Sequence, residues 1–413
     1  MKNIFVLVAI ICSFNFYSQE IITPPDYIKS IQLSSSQTGV FAPIIPLNGS
    51  FNLSFDDLEA DEKDYYYKIT HCDKNWETSD LVSTEFVKGY DQEQIRNFEN
   101  SFNTLQDYTH YQLRIPNDNT RLLLSGNYRI SVLNDDDEVV FSRYFTLYEP
   151  ITTVGVSVHR SRDVNYINSQ QSVQFSINHP GFMINNPRDE IYPVLLQNND
   201  YSTQIKGLKP QFIRGEQLLY KYDKETAFWG GNEFLYFDSK EIRMTNMNIA
   251  KIVSGEHLYH TYLYPDRLRA PDPYTYYPDI NGNFVIRNQG ANDSTTEADY
   301  SWVHFNLQVV EEIPTKDIYV YGNFNNYQIT DNTKLTYNPK TGSYETQLLL
   351  KQGFYNYNYI TINDSNEINT IEINGSFEET ENEYIVLVYY SKFGSAYDRV
   401  IGLGKGSSKK LGQ

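Results

Sequence analysis

Cysteine is almost missing from this chain, with two residues, Cys12 and Cys72, among 413. A disulfide scaffold is thereby excluded. Cys12 falls in a leader segment, so the chain without that leader keeps one thiol and closes no internal bridge even in an oxidising compartment. Long apolar runs are equally scarce. The run from Ile4 to Phe14 is the longest, and it is shorter than the roughly 18 to 20 residues that cross a bilayer as a helix. Positive charge is in deficit, with 34 Lys and Arg against 52 Asp and Glu and a net charge of -18. Because the acids are spread along the chain, nucleic acid and anionic lipid are unfavourable partners. GxSxG, HExxH, a phosphate loop and a dinucleotide fingerprint are all absent, so no recognisable catalytic constellation is on offer.

What the ends contain is informative. Lys2, the apolar run, and the small and polar residues around Ser18 and Gln19 follow the order of a secretory signal peptide, with cleavage expected near Ser18. Ile10 and Ile11 precede Cys12 where a lipobox needs a small residue, so a lipid anchor is not expected. The exported chain should therefore be a soluble protein of the periplasm.

Tyrosine is the abundant aromatic, at 36 residues against 23 Phe and 3 Trp. It joins β propensity to an apolar body and a polar tip, which suits half-buried sheets and binding surfaces alike. Strand signals dominate, and no stretch carries a convincing 3.6-residue apolar stripe. Phe51, Leu53 and Phe55 alternate, as do Tyr65, Tyr67 and Ile69, then Tyr111, Leu113 and Ile115 up to Pro116. Tyr128 to Val132 and Val140 to Leu147 flank a charged turn and read as a hairpin. The fold class is all-β, with two or three consecutive immunoglobulin-like or early-set β-sandwich domains. The expected division is 1–18 leader, 19–150 first sandwich, 151–300 central β domain, 301–404 C-terminal early-set-like sandwich, and 405–413 flexible tail.

Candidate metal or catalytic groups each have a simpler reading. His257 and His260 lie three apart, but on a strand such residues face opposite ways. His71 and Cys72 are adjacent and diverge for the same reason, which leaves Cys72 as a small buried filler. Asp135 to Asp137 form a solvated turn rather than a calcium loop, and Asp279, Asn281 and Asn283 belong to a tight turn at Asn281-Gly282. No catalytic residue, metal or cofactor is assigned.

Four sequence blocks occur in order between Tyr65 and Tyr128: HCDxxW, SFNT, YTHYxLxIPN and LSGNY. With YYPDINGNFVIRN (Tyr276–Asn288) and FGSAYDRVIGLG (Phe393–Gly404), they make the chain resemble the type IX secretion system plug proteins. The resemblance implies a non-enzymatic periplasmic protein at the inner face of the outer membrane, whose partner is the translocon barrel that it occludes. It transfers no catalytic residues. A monomer is expected.

One segment stands out beside this implication. Between Tyr264 and Tyr277, prolines 265, 271 and 273 restrict the chain and tyrosines stand among them. Tyr264, Arg267, Arg269, Tyr274, Tyr276 and Tyr277 form the candidate protein interface, since tyrosines offer wide contact area with few rotatable bonds. The competing reading is a structural wrap between sandwiches. A second class of function comes from Val320 to Gln328, similar to glycogen-binding early-set domains, where Tyr327 would stack on sugar. An outer-membrane barrel is disfavoured by short, proline-interrupted strands and the polar ending.

Overall fold

The computed structural model describes residues 22–35, 43–309, 313, 316–363, 365 and 367–409. The leader, with Lys2, Cys12 and the cleavage point at Ser18, lies outside the described residues. So do the last four residues of the expected tail. The protein is nearly all β. Among the described residues, helix is confined to four-residue turns at Ser83–Phe86, Pro187–Glu190 and Ser294–Glu297, plus two 3-10 turns. None of these helices is long and apolar enough to cross a membrane.

The period-2 pattern does what it predicts in the first unit. Ile28–Ser35, Phe51–Asp57, Thr109–Ile115 and Asn97–Asn100 form one sheet; Ile44–Pro46, Val139–Tyr148, Gly126–Leu133, Tyr66–Cys72 and Gln92–Gln94 form its partner. Their inward residues, among them Phe51, Leu53, Phe55, Tyr67, Ile69, Tyr111 and Ile130, build one core. The expected hairpin is Gly126–Leu133 against Val139–Tyr148. Its turn is closed by Asn134, whose side-chain oxygen accepts from the backbone of Asp136 and Glu138.

The second unit is a sandwich assembled from two distant stretches. One sheet holds Thr153–Arg160, Gln170–Asn178, Gln217–Tyr220 and Phe212–Arg214, with Ala227–Trp229 on the second of these. The other holds Asp200–Ile205, Ile191–Gln197, Glu383–Tyr390 and Arg399–Ser407. Ile191–Gln197 pairs with Glu383–Tyr390 in full register, so the last two strands complete a sandwich whose other strands lie between Thr153 and Trp229. Their shared core includes Val173, Phe175, Leu195, Val386 and Ile401.

Between the two stretches a third unit is inserted. Its sheet runs Leu235–Asp238, Gly353–Asn363, Lys316–Tyr321, Lys334–Asn338, Ser343–Lys351, Tyr300–Gln308, Tyr259–Leu263 and Ile249–Ser254. It folds over its own core, where Phe237 and Tyr357 meet Phe305 edge-on. Hydrogen-bonded ladders thus cross the expected 300/301 division repeatedly, Leu235–Asp238 and Phe284–Ile286 both pairing with Gly353–Asn363. Tyr259–Leu263 pairs with Tyr300–Gln308, and Ile191–Gln197 with Glu383–Tyr390.

The expected flexible tail is ordered in its first part. Residues 405–407 finish the strand Arg399–Ser407, and Ser408 is buried, donating through its hydroxyl to Thr380. The reason is steric. Gly402, Gly404 and Gly406 share one face of that strand, and a Cβ on each would lie within 2.0–2.7 Å of Thr152, Val154 or Val156. Glycine at alternate positions lets the strand Thr153–Arg160 lie against it.

Tyrosine and acid explain one another in the interior. Fully buried tyrosines donate to buried carboxylates: Tyr65 to Asp57 at 2.8 Å, Tyr300 to Asp56 at 2.6 Å and Tyr321 to Asp200 at 2.9 Å. Each pairing gives the hydroxyl a partner and the carboxylate a donor; Asp56 and Asp57 also meet the Lys351 and Lys63 ammonium groups, whereas Asp200 accepts from the Tyr321 hydroxyl and the Ser202 backbone.

Candidate functional site

The segment from Tyr264 to Phe284 divides its side chains between two tasks. Asp266–Arg267 adds to the edge of Tyr300–Gln308, and the backbone N–H groups of Arg269 and Ala270 donate to the Ile373 carbonyl. Arg269 then turns inward. One terminal nitrogen donates to the Glu233 carbonyl at 2.7 Å, the other to the side-chain oxygens of Asn358 at 3.0 Å and Asn374 at 2.9 Å. Tyr274 also points in, donating to the Glu233 carboxylate at 2.5 Å.

Carboxylates hold the rest. Asp266 accepts from Tyr357 and Tyr359, and Asp279 accepts from the backbone N–H groups of Phe234 and Asn281. Burial drives all three acids up, Glu233 to about 7 and Asp266 and Asp279 to about 6, with hydrogen bonds pulling the other way. Asn281 at φ 52° and Gly282 at φ 79° form the tight turn that returns the chain to the strand Phe284–Ile286.

The remaining members face out. Tyr264 is 59% exposed, Tyr276 and Tyr277 are each 51% exposed, and Arg267 carries an exposed ion pair with Asp272 at 3.0 Å. The six residues singled out by sequence therefore separate into two anchors, Arg269 and Tyr274, and four surface groups on a restrained loop. Glu233, Asn358 and Asn374, which hold the anchors, carry no local sequence signal; they lie 36 to 105 positions from Arg269.

The other candidates resolve into structural roles. Cys72 is buried and its thiol is pushed up to about 11 by burial, which leaves it protonated. His71 instead meets Ser79 at 2.9 Å. His257 is exposed beside Glu256, whereas His260 contacts His304 on the neighbouring strand at 3.0 Å. Asp57, Glu59 and Asp61 converge, but Lys63 sits among them and supplies the positive charge. Tyr327 is half-buried, its ring 5.1 Å from Tyr321 and its hydroxyl directed at the Asn198 carbonyl, so it offers no open sugar platform.

The sequence blocks share a location. HCDxxW places Trp76 edge-on to Tyr201 of the second unit, and Lys74 on Asp398. Asn127 of LSGNY accepts from Tyr389, and Arg399 pairs with Glu149. The backbone of Phe102 in SFNT donates to Thr296, and Tyr108 to Ala298. Asn283 of the YYPDINGN block accepts from Asn323. Five of the six blocks thus join the first unit to the second or the third, and the YYPDINGNFVIRN block ties down the loop inside the third.

Comparison with known proteins adds an independent line. Residues 28–149 match the family model described as the type 9 secretion system plug protein 1st domain. The crystal structure of a hypothetical protein from Parabacteroides merdae ATCC 43184 is similar along almost its whole length. It is 32% identical with a TM-score of 0.90, over 94% of this chain and 98% of that one. A biofilm-associated protein BSP domain is 7% identical with a TM-score of 0.18, over 93% of this chain and 60% of that one. A Salmonella alpha-2-macroglobulin mutant is 10% identical with a TM-score of 0.17, over 94% and 33%. Neither of these two carries an argument. No curated protein matches the chain.

Proposed function

The chain belongs to the type 9 secretion system plug protein family, and from that premise we propose that it is a non-enzymatic periplasmic plug that seats against the inner mouth of the outer-membrane translocon and occludes it. Membership implies a role associated with type 9 secretion and a place in the cell envelope. The observation that carries the finer reading is the family match over residues 28–149.

The geometry supports it in two ways. Occlusion needs a body that does not yield, and the three units are cross-linked by buried polar contacts. Across one seam Asp56 accepts from Lys351 at 2.6 Å and from Tyr300, both of the third unit. Docking also benefits from a surface ordered before contact, because less conformational freedom is then lost on binding. Tyr264, Arg267, Tyr276 and Tyr277 have that property, since Arg269, Tyr274 and Asp279 hold their loop down. In an acidic protein, Arg267 gives the loop a cation to set against acidic groups at a pore mouth.

The test is recovery of the protein with the translocon from detergent-solubilised outer membranes. The wild type should co-purify, and the variant carrying Tyr264→Ala, Arg267→Ala, Tyr276→Ala and Tyr277→Ala should lose yield while keeping its melting temperature. Arg269→Ala should lose stability first. Failure of the wild-type protein to co-purify would sink the plug reading. Wild-type yield from the fourfold variant would instead move the contact surface elsewhere.

A further inference from the structure

A cavity of about 600 Å³ opens where the first and third units meet, between the edge strand Ile28–Ser35 and the strand Ser343–Lys351. A smaller one of about 170 Å³ continues toward the second unit. Both are lined by Arg143. This residue lies between Phe141 and Phe145, whose rings fill the first core, and among the described residues the strand Ile44–Pro46 pairs with residues 146–148 rather than with it.

Arg143 is a cation with little to neutralise it. Its one described hydrogen bond runs from a terminal nitrogen to the Ser142 carbonyl at 2.9 Å, and its guanidinium lies 5.6 Å from the Phe141 ring. Among the described residues no carboxylate lies within 4 Å of it. Burial alone pulls it down to about 10. A guanidinium has five N–H donors, and this half-buried one meets no carboxylate, so on the wall of a cavity it is suited to an anion.

The surrounding side chains narrow the class. Gln32 Nε2 and Gln328 Nε2 are buried donors, and Asn199 Oδ1 and Gln204 Oε1 buried acceptors, all without a protein partner and all on residues lining these two cavities. Trp302, Phe324 and Leu348 supply apolar wall. A carboxylate fits the planar fork of one arginine, and the second cation on the wall, Lys29, already faces Asp26 at 3.9 Å, which leaves too little positive charge for a phosphate dianion. Acceptors beside it fit an amide N–H. We infer that this junction cavity binds a peptide carboxylate, with the acid on Arg143, the adjoining amide on the Asn199 and Gln204 oxygens, and an apolar side chain against Trp302 and Phe324. The inference stands apart from the plug reading.

N-Acetyl-L-phenylalanine is the probe and its neutral carboxamide the control, measured by calorimetry and by melting temperature on the full mature chain. The acid should bind and raise the melting temperature, the carboxamide should do neither, and Arg143→Gln should weaken the acid at least about tenfold. Arg143→Gln should itself melt no lower than wild type, because it removes a half-buried charge that makes no ion pair. Crystals of the wild type soaked with N-acetyl-4-bromophenylalanine supply a readout that needs no variant: an anomalous bromine peak in the cavity supports the assignment, and its absence at saturating probe overturns it. Equal binding of acid and carboxamide, or of acid by wild type and Arg143→Gln, would also overturn it, as would inorganic phosphate competing at the affinity of the acid.

Discussion

Glu233 shows how one carboxyl can anchor a surface loop and make the hold depend on pH. It accepts from Tyr274 and from the backbone of Glu381, while its other oxygen is buried without a protein partner. Burial raises it from the usual 4.5 to about 7, so the folded state takes up its proton more readily than the unfolded chain does. Its stabilising contribution is therefore complete below about pH 4.5 and is lost as pH rises through about 7. Glu233→Gln, neutral throughout, should remove this dependence. Between pH 5 and 8 the wild type should lose about 1–3 kcal/mol more stability than the variant, read from denaturant midpoints at the two pH values. Equal losses would show that Glu233 is not the titrating anchor. At this scale the sequence was half legible. The tyrosines between the prolines stood out, and four of the six chosen side chains do lie on the surface. That Arg269 and Tyr274 turn inward depends on Glu233, Asn358 and Asn374, which no local pattern ties to them. Tyrosine abundance was likewise visible, but some of the partners its hydroxyls find, such as Asp56 for Tyr300 and Asp200 for Tyr321, exist only once strands far apart in sequence are stacked.

At the scale of the element, alternation carried most of the reading. Val173, Phe175 and Ile177 line one face of a strand, as do Val303, Phe305 and Leu307, because a half-buried strand writes its burial into every second residue. The strand Arg399–Ser407 escaped in part because its second half replaces large apolar residues with glycine, which reads locally as a breaker. The informative signal was spacing: glycines at 402, 404 and 406 mark a face that another strand approaches closely. A side chain there has nowhere to go. Gly404→Val would set its Cβ 2.6 Å from Val154 and 2.7 Å from Val156 before its methyl groups are counted, and overpacking of this kind costs about 1–3 kcal/mol or more. Lys405→Val, on the opposite and exposed face, should stay within about 0.5 kcal/mol. Thermal melts of the two variants test this; similar melting temperatures would mean that the sheets can slide apart without penalty.

The whole molecule is interlocked rather than strung out, and this is where sequence reading stops soonest. Soft boundaries follow turn chemistry and composition, which are local, whereas the closing of the second sandwich is a pairing between Ile191–Gln197 and Glu383–Tyr390 across an inserted unit. No residue in either strand announces the other. The first unit, by contrast, is continuous in sequence, and the buried residues of its core run from Ile28 to Leu147. The consequence can be tested by truncation. A chain ending at residue 382 loses Glu383–Tyr390 and Arg399–Ser407, and with them Tyr384, Val386, Val388 and Ile401 of the core around Val173 and Leu195 and most of the seam formed by Leu196, Leu387 and Tyr389. It also loses Asp398 and Arg399, which pair with Lys74 and Glu149 of the first unit. Exposing that much apolar surface should leave the second unit unable to fold. The first and third units retain their own cores, so the truncated chain should show a smaller transition, aggregate on size-exclusion chromatography and bind a hydrophobic dye, while limited proteolysis degrades the second unit and yields resistant fragments, one of them ending near residue 150. A truncated chain that stayed monodisperse with the full cooperative melt would mean that the last two strands are an accessory layer, and that the second sandwich closes without them.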